Sequence, residues 1–234
     1  MATGRVLTIG AHAADQELAA GMQIAKYARA GYDVTVLSLT PGEKGHPTLS
    51  AEDYARQKIE EARGCTRILG AETIILGYGD ALLAATQAIA LEVADIIREL
   101  RPDVVITHWK NSIHTDHRNA HIIAQDALFY AALPRIERSR PAHWVPKVFY
   151  SENWEDMEGF EPDVYVETTE VFDQYCEALS SFALWEGGTG WPYSRYYQAL
   201  ATTRACLGGG LRWEKAAAMM RPREELVERT RELP

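Results

Sequence analysis

The sequence predicts an α/β protein: a Rossmann-like, mostly parallel sheet with helices on both faces, plus a smaller C-terminal α+β portion. Three observations carry that prediction. Apolar runs of strand length alternate with helically periodic segments from Arg5 to Leu133. The changes of period are punctuated by glycine or proline, as at Gly31, Pro41, Gly42 and Gly70. Strands separated by helices in this way pair in parallel through right-handed crossovers.

The first strand is the apolar run that begins at Arg5 and is bounded by Gly10, and Gln16 to Ala30 then has helical periodicity. Asp33 to Thr40 reads as a second strand. Pro41 to Pro47 places two prolines and two glycines in seven residues and is a loop. Ser50-Ala51-Glu52-Asp53 suits a helix N-terminus, and that helix runs to Leu69 before Gly70. Thr73 to Tyr78 is a third strand, Thr86 to Arg101 a helix, Asp103 to Trp109 a fourth strand and Asp116 to Leu133 a helix. Beyond Pro134 the pattern loosens. Lys147 to Tyr150 and Val164 to Val166 look like strands, with the acidic Glu152 to Asp163 between them, while Val171 to Trp185 and Tyr193 to Leu207 look helical. Glu186 to Pro192 is a glycine-rich loop, and Arg221 to Pro234 is a charged segment with few apolar anchors. The chain, 1–234, reads as one domain, with a Rossmann-like core over 1–134 and a partly helical subregion over 135–234.

Composition narrows the function classes. A 47% hydrophobic and 24% charged chain is ordinary globular protein. A net charge of −9 argues against nucleic acid or an anionic membrane surface as the main partner. No apolar run reaches the roughly 18 residues of a membrane span, and the amino end runs straight into the first strand with no leader-like apolar segment. Cys65, Cys176 and Cys206 are widely spaced and form no CxxC, so neither a cysteine zinc site nor a disulfide framework is expected, and a reducing cytoplasm is the simplest compartment. Strand one is followed by Gly10-Ala11-His12-Ala13-Ala14-Asp15 and lacks a glycine-rich phosphate turn, which speaks against a dinucleotide site.

The chemistry-bearing residues fall at carboxyl ends of strands, where open α/β sheets bind ligands. His12 and Asp15 lie on the turn after strand one and can converge on one cation, imidazole and carboxylate being common zinc ligands. Two residues do not complete a zinc site. The stretch that can supply more is Ile113-His114-Thr115-Asp116-His117, after strand four. Glu43 and His46 follow strand two and Asp80 follows strand three; each can reach such a site, against a default of solvated loop. Asp116 suits an orienting partner for the His114 or His117 ring, and equally a helix N-cap. His108, inside strand four, reads as a packed histidine, and His121 as a neighbour one turn past His117. Trp109, Trp154 and Trp191 lie in or beside loops and suit either a sugar pocket or packing.

Ala11-His12-Ala13-Ala14-Asp15-Gln16 and His114-Thr115-Asp116-His117 together resemble the two motifs of the PIG-L/LmbE-like metal-dependent N-acetylglucosamine deacetylases, A-H-P-D-D-E and H-x-D-H. The resemblance runs from Arg5 to about His121, with a weaker echo near Leu211. It implies a metal held by His12, Asp15 and His117, zinc or another divalent ion such as Fe²⁺, with His114 at the reacting centre as oxyanion stabiliser or proton donor. It implies a substrate contact for Arg56, on the helix before strand three with Glu60 four residues on; an ordinary surface ion pair reads equally well. It implies a small amino-sugar or glycoconjugate substrate that loses an acetyl group, and an often multimeric protein. The chain departs from the family at one position. The family's general-base Asp is Ala14 here, so either zinc-hydroxide alone serves, or a carboxylate from Glu43, Asp80 or Asp116 substitutes, or the protein is a metal- or sugar-binding member without hydrolysis.

Overall fold

The computed structural model describes residues 3–222, and the charged segment from 223 onward lies outside them. The strands are β1 (Arg5–His12), β2 (Asp33–Thr40), β3 (Glu72–Ile75), β4 (Val104–Thr107), β5 (Lys147–Ser151), β6 (Val164–Glu167) and β7 (Ala216–Met220). The helices are α1 (Asp15–Arg29), α2 (Ala51–Leu69), α3 (Gln87–Leu100), α4 (Thr115–Ala132), α5 (Phe172–Leu179) and α6 (Tyr193–Gly209). One sheet takes all seven strands in the order β3-β2-β1-β4-β5-β7-β6. The first five are parallel, and β7 runs antiparallel to both neighbours. The C-terminal subregion thus extends the same sheet.

Alternation along β1 explains the two cores. Val6 joins Val34, Val36 and Ile106 on one face, under α1, α2 and α5. Leu7 and Ile9 join Leu37, Leu39 and Val105 on the other, under α3 and α4. Covering both faces is what turns the central strands into nearly continuous apolar runs. Chain order reverses at β1, with β2 on one side and β4 on the other, so a crevice opens at their carboxyl ends.

Two elements depart from expectation. The helix expected over Val171 to Trp185 stops at Leu179. The Ser180 hydroxyl donates to the Glu177 carbonyl (2.6 Å), and serine pairs of this kind divert the backbone from helical bonding. The strand β7 was not expected, because Ala-Ala-Ala-Met-Met carries helix-forming residues. Its five residues are all buried between β5 and β6, so tertiary pairing overrides propensity.

The far end of the sheet is closed by one buried cation. The Arg98 guanidinium, 3% exposed, donates to the carbonyls of Tyr130 (2.9 Å), Ala131 (3.1 Å), Leu133 (2.8 Å), Ile136 (2.9 Å) and Arg140 (3.2 Å). It satisfies the end of α4 and complements its dipole. Arg98→Met should therefore cost on the order of 3 kcal/mol or more in denaturant unfolding, since it strands buried acceptors. Arg98→Lys should recover only part, because an ammonium cannot span five carbonyls. A midpoint equal to wild type in Arg98→Met would refute this capping role.

Candidate functional site

Parallel pairing delivers the site. His12 ends β1 and pairs with Thr40 at the end of β2, while β4 ends at Thr107 beside Ile9. Between β1 and α1 the chain turns through Ala14, whose φ of 92° is left-handed. Four hydrogen bonds hold that turn: Ala14 N–H to the Glu17 carboxylate (3.2 Å), His12 N–H to Asp15 Oδ2 (2.7 Å), Ala11 N–H to His108 Nε2 (3.1 Å) and Ala13 N–H to the Thr40 carbonyl (3.2 Å).

Asp15 Oδ2 is the focus. It lies 3.2 Å from His12 Nδ1 and 3.4 Å from His117 Nε2, so the three predicted ligands converge. One donor atom from each lies within 4.8 Å of the others, a set that could hold a metal. Both histidines are backed by carboxylates on their remaining nitrogens. His12 Nε2 faces Asp80 Oδ1 (3.1 Å) and Asp116 Oδ2 (3.3 Å), and His117 Nδ1 faces Asp156 Oδ1 (3.0 Å). Such partners orient imidazole ligands and raise their basicity.

The rings border a cavity of about 180 Å³ whose wall also includes Lys58, Asp80, His114, Trp154, Glu155 and Tyr193. His114 precedes α4 as its N-cap, and its Nδ1 accepts from Asp116 N–H (3.1 Å). An accepting Nδ1 puts the neutral ring's proton on Nε2, which makes His114 a donor on the cavity wall. Burial and the neighbouring His12 lower its pKa and favour this neutral form.

Electrostatics follow the packing. Burial alone would lower the His12 pKa, but Asp15, Asp116 and Asp80 hold it well above the usual value. Burial works to raise Asp80, yet the His12 contact holds it down at about 2. Glu155 is pushed up to about 7 by burial and by Asp15 and Asp156. Its Oε2 lies 3.5 Å from His117 Nε2.

The other predicted residues divide sharply. Asp116 is buried below the cavity; its carboxylate bonds His12 and Ala81 N–H (2.7 Å) instead of the His114 or His117 ring, and its own backbone N–H holds His114. Glu43 is off the cavity wall: its Oε1 accepts from Asp80 N–H (3.0 Å), while Asp80 Oδ2 accepts from Lys44 N–H (2.7 Å), a clamp joining the loops after β2 and β3. Arg56 is a correction. It is exposed and pairs with Glu52 (2.8 Å) and Asp53, while Glu60 pairs with Arg63 (2.8 Å). The inward stripe of α2 is Tyr54, Lys58, Ala62 and Cys65, so Lys58, two residues on, reaches the cavity instead. Its described contact is the Phe182 ring, 5.1 Å away, with no carboxylate within ion-pair distance among the described residues. His46 accepts from Leu49 N–H (2.9 Å), and His121 bonds the His108 carbonyl (2.9 Å); neither lines the cavity. Of the tryptophans, Trp154 lines it, Trp191 stacks behind Trp154 at 4.3 Å, and Trp109 packs on Tyr150.

Glu155 and Asp156 were missed by sequence reasoning. They sit in a 3-10 turn, Trp154–Asp156, inside a stretch that reads only as an acidic connection. The available signal was position: the stretch follows a strand that joins the parallel sheet beside β4.

Comparison with known proteins places the chain among enzymes of one fold. The chain is 28% identical over 193 residues to 4-oxalmesaconate hydratase of Pseudomonas putida, covering 77% of this chain and 75% of that one. It is 33% identical over 141 residues to diacetylchitobiose deacetylase of Thermococcus kodakarensis, covering 58% of this chain and 53% of the relative. Among solved structures, GalB, the 4-carboxy-2-hydroxymuconate hydratase from Pseudomonas putida, superposes with a TM-score of 0.85 at 23% identity, covering 99% of this chain and 100% of that one, a likeness of fold. The family model described as GlcNAc-PI de-N-acetylase matches residues 7–128, just over half of the sequence and inclusive of both histidine motifs. The chain therefore belongs to the PIG-L (GlcNAc-PI de-N-acetylase) family.

Proposed function

We propose that the chain is a zinc-dependent hydrolase that releases the acetyl group from a small N-acetylated amino sugar or glycoconjugate in the cytoplasm. The observation that carries this reading is the convergence of His12, Asp15 and His117 at an open cavity beside the His114 ring. Two imidazoles and a carboxylate with an open side suit catalytic zinc, and also ferrous iron. A bound ion would polarise the amide carbonyl and bring a water's pKa down toward about 7. The diacetylchitobiose deacetylase relative supports the acetylated-sugar class, and the aromatic wall of Trp154 and Tyr193 suits the apolar face of a sugar ring. The three cysteines are free, as a reducing compartment would keep them. A purely binding role finds no support among these relatives, which are named as enzymes.

The chain's own groups account for the proton transfers. Glu155 faces the cavity beside His117 and takes a proton from the attacking water, the task Ala14 cannot perform. Water oxygen adds to the acetyl carbon, and His114 donates its Nε2 hydrogen bond to the oxyanion. The carbon–nitrogen bond then breaks, and the nitrogen leaves as an amine carrying the proton Glu155 accepted, with acetate as the other product.

A second reading is favoured by two observations. The relative matched over the larger share of both chains is named a hydratase, and Lys58 presents a buried ammonium to the cavity with no carboxylate partner among the described residues. Hydration of a carbon–carbon double bond in a small unsaturated polycarboxylate would use the same water-activating groups, with Lys58 on a substrate carboxylate.

One pair of assays decides between them: acetate release from N-acetylglucosamine derivatives, and loss of absorbance by 4-oxalmesaconate. Deacetylation predicts the first alone; absorbance loss without acetate release would replace it with hydration. In the productive assay, Glu155→Gln should keep zinc and lose about 10²- to 10⁴-fold in turnover. Ala14→Asp should restore part of that loss in the Glu155→Gln background. Full activity of Glu155→Gln would remove Glu155 as the base.

A further inference from the structure

His108 neither lines the cavity nor belongs to the proposed ligand set, and its packing is unusual for a core residue. It follows β4 directly and is 0% exposed. Its Nδ1 lies 2.8 Å from Asp156 Oδ2, and its Nε2 lies 3.2 Å from Asp15 Oδ2. The same Nε2 accepts from Ala11 N–H at 3.1 Å, on the residue before His12. The ring stacks on His117, with centroids 4.2 Å apart.

These contacts close a circuit. Asp156 gives one oxygen to His117 and the other to His108. Each imidazole then turns its Nε2 toward the same oxygen of Asp15, at 3.4 and 3.2 Å. One fully buried carboxylate thereby orients one proposed ligand directly and, through the His108 ring on Ala11 N–H, the turn that carries the other two. We infer that His108 is a positioning residue for the metal site, holding the turn that carries His12 and Asp15 by linking Asp156 to the Ala11 backbone N–H. The inference rests on the reading of His12, Asp15 and His117 as metal ligands.

A ring kept only for packing would be replaceable by an apolar side chain of similar shape, at a cost in stability alone. Burying two imidazole nitrogens between two carboxylates is worthwhile where it fixes a geometry, because unpaired buried carboxylates are costly. Partners that orient metal ligands typically contribute tenfold to hundredfold in metal affinity.

The test is calorimetric titration of chelator-stripped protein with Zn²⁺, beside urea unfolding of the same metal-free proteins. His108→Phe should weaken zinc binding by about 10- to 100-fold. His108→Gln, which can keep one polar end toward Asp15 or Asp156, should recover part of the loss. Asp156→Asn should weaken binding at least as much as His108→Phe, and the double variant should fall short of the product of the two losses, because both act on one circuit. Should His108→Phe fail to fold, the comparison of His108→Gln with wild type carries the test. Wild-type zinc affinity in His108→Phe, or in His108→Gln if only that folds, would overturn the positioning role, whatever the change in urea midpoint. A wild-type protein that takes up no zinc would instead overturn the metal-centre reading itself, and this inference with it.

Discussion

The parallel pairing of β1 between β2 and β4 is the constraint on which the rest depends. Because order reverses at that strand, the segments leaving β1 and β4 diverge to opposite faces and open a crevice between them. His12 and Asp15 enter it from one side and His114 and His117 from the other, about one hundred residues apart in sequence. The loops after β2 and β3 then close over the same end, tied together by Glu43, Lys44 and Asp80. A slip of one residue in β1 would turn Leu7 and Ile9 to the wrong core and carry His12 away from His117. Apolar packing on both faces of the sheet therefore fixes the positions from which the site's side chains project.

The polar contacts bring a cost that packing does not offset. Asp15, Asp80, Asp116 and Asp156 all lie within hydrogen-bond reach of His12 or His117. Two carboxylates 4 Å apart repel by about 4 kcal/mol at an effective dielectric of 20. The imbalance holds the His12 pKa well above its usual value, and burial with the surrounding acids pushes Glu155 up to about 7. A divalent cation among His12, Asp15 and His117 would supply the missing charge. Titratable groups perturbed in this way cluster at functional sites.

Legibility in the sequence followed the same division. The parallel core was readable because its strands are doubly buried and so nearly uniformly apolar, and its helices carry clear caps such as Ser50 and Thr86. His12 and Asp15 stood out because they lie at the end of β1, whereas His117, well past the end of β4, came forward only through the likeness of His114-Thr115-Asp116-His117 to the family's second motif. Periodicity could not give β7, whose alanines and methionines favour helix until two strands flank them. Helix phase decided between Arg56 and Lys58, and phase is a two-residue question that a motif of uncertain spacing cannot answer. Glu155 and Asp156 stand on a three-residue turn with no periodicity, and their role exists only through contact with histidines about forty residues away.

Ala14 shows how the turn can lose a catalytic side chain and keep its shape. Left-handed backbone at a residue with a Cβ costs roughly 1–2 kcal/mol, and a buried methyl returns only about 0.8. Asp and Asn tolerate that conformation better than Ala, so an Asp at this position would meet no added backbone strain. What maintains it is the set of contacts from other residues: Glu17 on Ala14 N–H, Asp15 on His12 N–H, and His108 on Ala11 N–H. None of these involves the side chain at position 14. The ligand geometry is therefore independent of the base position, and a carboxylate on another wall of the cavity can assume the proton transfer without disturbing the turn. Glu155, which reaches the cavity from the segment after β5, meets that requirement. Its neighbours Asp156 and Glu152 are fixed from below, Asp156 by two histidines and Glu152 by the Arg204 guanidinium (2.8 Å), so its backbone has little freedom to drift.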